Sequence, residues 1–282
     1  MSSSQHAAEV ASGERFEFGK NWARFLTTLS DARIQEAERS LADMLGAPIA
    51  GKRFLDAGSG SGLFSLAARR LGANVHSFDY DPDSVACTRE VRRKYSPEDA
   101  DWRVEAGSVL DKDYLAGLGT FDVVYSWGVL HHTGHMWTAL ENIAASVAPN
   151  GRLFIAIYND QGTASRRWTW VKRTYSRSPM LRWPLLWASF WHENWRSMVK
   201  DAVRLRPFHA LRHYGAEYRG MSLWHDLVDW VGGYPFEVAR PEEIFDFYRR
   251  RGFTLERLKT TNSLGCKADS TSTITPRWDT AA

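Results

Sequence analysis

Cysteine is scarce: Cys87 and Cys266 are the two in 282 residues, and they lie far apart. That excludes a disulfide framework or a cysteine-built metal cluster, and a reducing cytoplasm is the expected compartment. Long apolar runs are also lacking. No stretch reaches the ~18 residues that a bilayer span needs. The polar start Met1-Ser2-Ser3-Ser4-Gln5-His6 has no apolar core of a secretory signal. Acids are nearly missing from one region. Residues 163–220 hold twelve Lys/Arg against Glu193, Asp201 and Glu217, so this stretch is +9 while the chain as a whole is +3. A field of that sign suits an anionic substrate or a phosphate-bearing surface, or is a solvated basic face.

What is present begins with one turn. Phe54-Leu55-Asp56-Ala57-Gly58-Ser59-Gly60-Ser61-Gly62 is an apolar strand, an acid, and glycines at alternate positions, followed by a helix from Leu63. Glycine lets the backbone turn sharply and approach a ligand closely. The helix start adds free N–H groups and a positive dipole end. A dinucleotide loop reads G-x-G-x-x-G/A; counted from Gly58, its third small residue is lacking, because Leu63 stands there. The acid ahead of the loop suits an ammonium and would repel a pyrophosphate. Val75-His76-Ser77-Phe78-Asp79 reads as a second strand ending in a carboxylate that can accept two ribose hydroxyls. Val104 to Val109, Phe121 to His132 and Ala148 to Ile157 follow as further strand-and-turn segments.

In this order over residues 52–160, the five segments resemble the class I S-adenosylmethionine (SAM) methyltransferases, loosely the small-molecule enzymes of ubiquinone biosynthesis. The resemblance implies an α/β, Rossmann-like seven-stranded sheet of order 3-2-1-4-5-7-6 with helices on both faces. It implies SAM as cofactor and S-adenosylhomocysteine as product. It places cofactor contacts at Asp56, Gly58, Ser59, Gly60, Gly62, Asp79, Tyr80, Ser108, Val109 and Ser126. Residues 1–47 are read as an N-terminal helical cap, 48–160 as the cofactor-binding core and 161–236 as a helical insertion after the fifth strand. Residues 237–282 are the end of the core and a polar tail. That tail, Gly265 to Thr275, is far more polar than the family's last strand, so its pairing is the weakest expectation and disorder is the alternative.

Two regions bear on the acceptor. Ile34, Ala37, Leu41 and Leu45 recur at helical spacing, and the segment before them carries Phe16, Phe18, Asn21 and Trp22. Asn21 and Trp22 are candidate lid or substrate residues; the competing reading is that the aromatics pin the helix to the core. The insertion holds eight of the thirteen tryptophans, and Trp183, Trp187, Trp191 and Trp195 share one helix face. Core packing or a subunit contact is the leading expectation for this stripe, and a homodimer is reasonable. A pocket wall and an interfacial helix touching anionic lipid are the alternatives.

Methyl transfer from a sulfonium needs alignment and, for a hydroxyl acceptor, removal of a proton. His131 and His132 follow the fourth strand at the edge where such sheets bind ligands. They are the first candidate base or orienter, with helix capping or packing as the plain alternative. Tyr158 and Asn159 leave the fifth strand toward the same edge. His225, oriented by Asp229 or Asp226, is a second candidate base. Trp127, Trp230 and Tyr234 are further candidate substrate contacts. No metal site is expected. The leading function is methyl transfer to oxygen on an anionic or lipophilic small metabolite, with nitrogen or a prenyl carbon as alternative acceptors. RNA or protein methylation ranks lower, because Ser126-Trp127-Gly128-Val129 stands where the Asn/Asp-Pro-Pro-Tyr motif of amino-group methylation would be.

Overall fold

Alternating apolar strands and amphipathic helices build a doubly wound sheet. The computed structural model describes residues 3–27, 29–97, 100–203, 223–260 and 271–278. Five parallel strands, β1 (Arg53–Ala57), β2 (Asn74–Asp79), β3 (Trp102–Ala106), β4 (Phe121–Trp127) and β5 (Val147–Tyr158), lie in the order β3-β2-β1-β4-β5. Beyond β5, β7 (Thr271–Trp278) pairs antiparallel to it, and β6 (Phe253–Thr260) pairs antiparallel to β7. The polar tail therefore contributes a strand. Thr271, Thr273, Ile274 and Thr275 are β-branched, and β-branched residues suit a pleated surface. The expectation for residues 261–270 lies outside the described residues.

Helices cover both faces. On one, α3 (Asp31–Leu45) buries Ile34, Ala37, Leu41 and Leu45 as their spacing requires, together with Leu66, Ala67 and Ala68 of α4 (Leu63–Arg70), against Phe54, Val75 and Phe154. The helix ends where Gly46 turns left-handed and its N–H caps the Ala42 carbonyl. On the other face, α7 (Met136–Ala144) and the later helix from Pro241 pack Leu140, Ile143, Ile244 and Tyr248 on Leu55, Val124 and Ile155. Between β2 and β3, α5 (Pro82–Tyr95) starts with Pro82 inside and the Asp81 carboxylate accepting from the Asp83 N–H. α6 (Lys112–Leu118) links β3 to β4.

The N-terminus holds α1 (Ser3–Ala11), which the sequence pattern did not reveal, and α2 (Gly19–Thr27). After β5 come α8 (Thr163–Arg177), α9 (Arg182–Val203) and α10 (Leu223–Gly232); α11 (Pro241–Arg249) returns to the sheet. Trp168 and Tyr175 of α8, Leu186 of α9, and Leu227 and Val231 of α10 form a separate small core with Phe236.

The tryptophan stripe does not pack into that core. Leu186, Ser189, Asn194 and Asp201 are the buried residues of α9, whereas Trp183, Trp187, Trp191 and Trp195 are exposed. This overturns the leading expectation of core packing within the chain. The face of α9 that meets this core carries Leu185, Leu186 and Phe190, packed with Trp168, Tyr175 and Trp230.

Candidate active site

The glycine loop sits at the carboxyl end of β1. Gly58, Gly60 and Gly62 all have positive φ, at 85°, 53° and 78°, a conformation that side chains rarely adopt. Each is also crowded. A Cβ on Gly58 would come within 2.4 Å of the Val129 side chain, one on Gly60 within 3.1 Å of the Trp22 ring, and one on Gly62 within 2.9 Å of Thr88 Cα. The loop is thus pressed between α2, α5 and the turn after β4, with its backbone held close. The Ser59 hydroxyl bonds that of Thr88.

Asp79 ends β2 and organises this loop. One carboxylate oxygen accepts from the Gly60 N–H and the other from the Asp81 N–H, each at 2.9 Å. Burial pushes its pKa up to about 6, although these N–H donors act in the opposite direction. The carboxylate has about four acceptor sites for these donors and the nearby Tyr80 N–H, so capacity for a ligand hydroxyl remains.

Asp56 lies deeper. Its carboxyl accepts from the Ser65 hydroxyl, which accepts from Ser77, which in turn accepts from the Trp102 indole N–H. At 2% exposed, it anchors this chain beneath the loop. Desolvation raises its pKa to about 7. Ser126 corrects the expectation of a cofactor contact: it is fully buried, and its hydroxyl donates to the Ala57 carbonyl at 2.8 Å, tying β4 to β1. Ser108 Oγ accepts from the Leu110 N–H, and the Val109 carbonyl accepts from Asn142, so both shape the turn after β3.

The cap closes on this edge. The Tyr80 hydroxyl donates to Glu9, Arg15 lies 4.8 Å from the Tyr80 ring centroid, and the Gly19 N–H donates to Asp81 at 2.7 Å. The Trp22 ring lies against Gly60. Phe16 and Phe18 take the pinning role: the Phe16 N–H donates to the Tyr234 carbonyl, and Phe18 packs 5.0 Å from the His132 ring. Glu9, Arg15 and Asp81 were not foreseen; Glu9 lies on helix α1, which carries no apolar periodicity to reveal it.

A second cluster gathers beside the turn after β4. Tyr158 stands among His131, His132, Phe236 and Trp230, with ring centroids 4.1, 5.7, 5.3 and 5.9 Å away. Burial drives the pKa of His132 down to about 3, with Lys172 and Arg15 adding to the effect. His132 is therefore a neutral imidazole at pH 7. Its Nδ1 is 2.6 Å from the Pro235 carbonyl, which can only accept, so the proton is on Nδ1 and Nε2 carries a lone pair. His131 is 1% exposed and is likewise held far below the ordinary range by burial. Its ring faces the Ala156 carbonyl without closing a well-formed hydrogen bond.

Lys172, unremarked in the sequence, is 1% exposed inside this cluster. Its Nζ donates to the Trp230 carbonyl and lies 3.9 Å from the Trp230 ring centroid. Burial pulls the ammonium down to about 7, against the pull of Glu193 and Asp229. Asp229 also accepts from the Asn21 amide, which joins α2 to α10. The Asp229 charge also acts on Lys172, and the His225 side chain lies outside the described residues. Asn159 bridges to Ala239 at the end of β5. Trp127 stacks on Phe154 and Phe64, on the α4 side of the sheet. Among the described residues no three His, Cys, Asp or Glu stand together as a metal site.

Comparison with known proteins places this geometry. A family model described as a methyltransferase domain matches residues 29–215. A ubiquinone biosynthesis O-methyltransferase of Xanthomonas oryzae pv. oryzae is 32% identical over 111 residues, 39% of this chain and 45% of that protein. A tRNA U34 carboxymethyltransferase of Methylococcus capsulatus is 31% identical over 138 residues, 49% of this chain and 40% of that protein. The chain thus spans under half the length of these relatives. Among solved structures, magnesium protoporphyrin IX methyltransferase from Synechocystis PCC 6803 with bound SAH has a TM-score of 0.52 at 13% identity, covering 86% of this chain and 82% of that one. An O-methyltransferase family protein from Burkholderia thailandensis also scores 0.52 at 13% identity, covering 89% and 59%. These two likenesses concern the fold.

Proposed function

The chain belongs to the methyltransferase domain family, class I and SAM-dependent, and from that membership we propose that it transfers a methyl group to an acidic hydroxyl of a small, anionic acceptor. The observation that carries the cofactor assignment is Asp79, whose two oxygens bridge the Gly60 and Asp81 N–H groups at the mouth of a loop where no Cβ fits. When bound, SAM supplies an electrophilic methyl on a sulfonium. Asp79 would accept the ribose hydroxyls, the loop N–H groups and Ser59 would line the cofactor, and Trp22 would cover it. Ser108, Val109 and Tyr80 would flank its base.

The acceptor side follows from the state of its charged groups. With both imidazoles neutral and weakly basic, His131 and His132 are poor proton acceptors. His132 Nε2 and the Tyr158 hydroxyl are suited to orient a hydroxyl. Lys172 and Arg15 are the cations whose fields reach His132, and a positive Lys172 favours an acceptor that ionises or carries an anionic group. Alignment then supplies most of the help such a reaction needs, ~7–11 kcal/mol of barrier. This favours oxygen with a phenol-like pKa over an alcohol that needs a strong base. Trp230, Tyr234, Asn21 and Asn159 would bound the acceptor.

We read the chain as cap, core, insertion and core end at the boundaries 47, 160 and 236, and the sheet as the full seven-stranded form. The β5–β7 and β6–β7 pairings support the latter.

The test is SAH release across a panel of phenols with and without a carboxylate, aliphatic alcohols, amines and prenylated acceptors. Turnover confined to acidic hydroxyls is the expected result; turnover confined to amines or carbon acceptors would replace the oxygen assignment.

A further inference from the structure

Helix α9 is apolar on two faces. Leu185, Leu186 and Phe190, with Ser189 and Asn194 among them, pack inward, while Trp183, Trp187, Trp191 and Trp195 are between 48% and 63% exposed. Further apolar side chains on these helices and their connection are exposed: Trp170 of α8 at 61%, Met180 at 89% and Val199 of α9 at 54%. Single exposed apolar residues are ordinary, but a contiguous row of this kind marks an interaction surface. Leaving these indoles in water forgoes burial that the same helix gives to serine and asparagine.

The charge around the row is of one sign. Arg166, Arg167, Arg173, Arg177, Arg182, Arg196 and Lys200 are exposed on α8 and α9, and no acid is exposed there, since Glu193 is half-buried and Asp201 buried. The cations sit beside the aromatics. Arg167 reaches His192 of α9 at 3.1 Å, and the Arg196 guanidinium is 5.4 Å from the Trp195 ring centroid. Trp prefers the headgroup level of a bilayer, and Lys/Arg are drawn to anionic lipid from the same depth. A second copy of the chain fits less well, because a self-complementary contact would bring the two sets of cations together. Among the described residues no helix is long and apolar enough to cross a membrane, so the contact would lie in the interface plane.

We propose that the α8–α9 face docks on the surface of an anionic phospholipid bilayer, with the four tryptophans at headgroup depth and the arginines on the lipid phosphates. The proposal is independent of the acceptor chosen above.

The experiment is sedimentation of the full chain with vesicles of phosphatidylcholine alone or with about a third phosphatidylglycerol, read together with tryptophan emission. Binding to the anionic vesicles, with a blue shift and weakening by salt, is expected. Replacing all four tryptophans by serine should lower the partition by roughly tenfold or more. Replacing Arg166, Arg167, Arg173 and Arg177 by glutamine should remove most of the preference for anionic lipid. These positions are exposed, and unchanged SAM binding by each variant shows that it folds. Failure to bind anionic vesicles overturns the proposal, as does equal binding to both compositions. A dimer in sedimentation equilibrium that the serine variant dissociates would assign the face to a second copy, and retention on an acidic protein or RNA but not on vesicles would assign it to that partner.

Discussion

The loop end and the insertion end of this molecule solve the same problem, burying polar groups, in opposite ways. At the loop, backbone N–H groups and short side chains close a satisfied chain: Trp102, Ser77, Ser65 and Asp56 below, Asp79 above. Around the insertion, Lys172 and His131 are buried and His132 half-buried among aromatic rings, and the surface helix carries its tryptophans outward. The first arrangement is rigid and local. The second is an assembly of distant pieces, in which Lys172, Asp229, Asn21 and His132 come from four separate segments. The lesson is that the cofactor end is specified by short-range geometry, whereas the acceptor end is specified by tertiary contact.

The largest expected effect breaks the loop side. Gly58→Ala must place a Cβ within 2.4 Å of Val129 at a φ of 85°, adding clash to the ~1–2 kcal/mol of left-handed strain. SAM binding should vanish in calorimetry, while the equivalent change at exposed Gly117, where nothing crowds the position, leaves it intact. Asp79→Ala comes next. Two hydrogen bonds to a charged acceptor are worth ~1.5–3 kcal/mol each, so affinity should fall by at least about two orders of magnitude.

On the insertion side, Lys172→Met separates field from packing. In the wild type the KM for an anionic acceptor should rise as pH increases through about 7, because Lys172 loses its charge there. The variant should show a higher KM at pH 6 and no such rise, with SAM affinity unchanged. His131→Ala with full turnover would remove His131 from the reaction and leave it a packing residue.

Stability against pH sharpens the comparison with opposite signs. The folded pKa of Lys172 is lowered from 10.5 to about 7. Between those values the unfolded chain binds more protons, so this group makes stability climb with pH, its full cost being felt below about 7. Asp56 is raised from 3.8 to about 7. Its contribution is present below about 4 and is lost as pH rises through about 7. Thermal melts of Lys172→Met should lose the alkaline climb, and those of Asp56→Asn the fall between pH 4 and 7.

Much of the loop end was legible in advance. Strand, acid and alternating glycines lie within nine residues, so local spacing carries the information, and Asp79 follows at the next strand end. Even there Ser126 misled: it lies within the fourth strand, near its end, and its buried hydroxyl donates to the Ala57 carbonyl. At the other end, Tyr158 and His132 were legible as residues at a sheet edge. Lys172 was not, since one lysine among twelve basic residues gives no sign that a helix will bury it. The tryptophan spacing identified one helix face but could not say which way it turns, because periodicity fixes a face and not its neighbour. Helix α1 stayed hidden because polar contacts, Glu9 with Arg15 and Tyr80, hold it in place.

The central claim is that the Asp79-organised loop is a SAM site. Calorimetric titration of the purified chain with SAM and SAH, beside Asp79→Ala, tests it most directly. The account predicts micromolar binding of both in the wild type and its loss in the variant. Binding of NAD(H) with none of SAM, or SAM affinity equal in the two proteins, would contradict it.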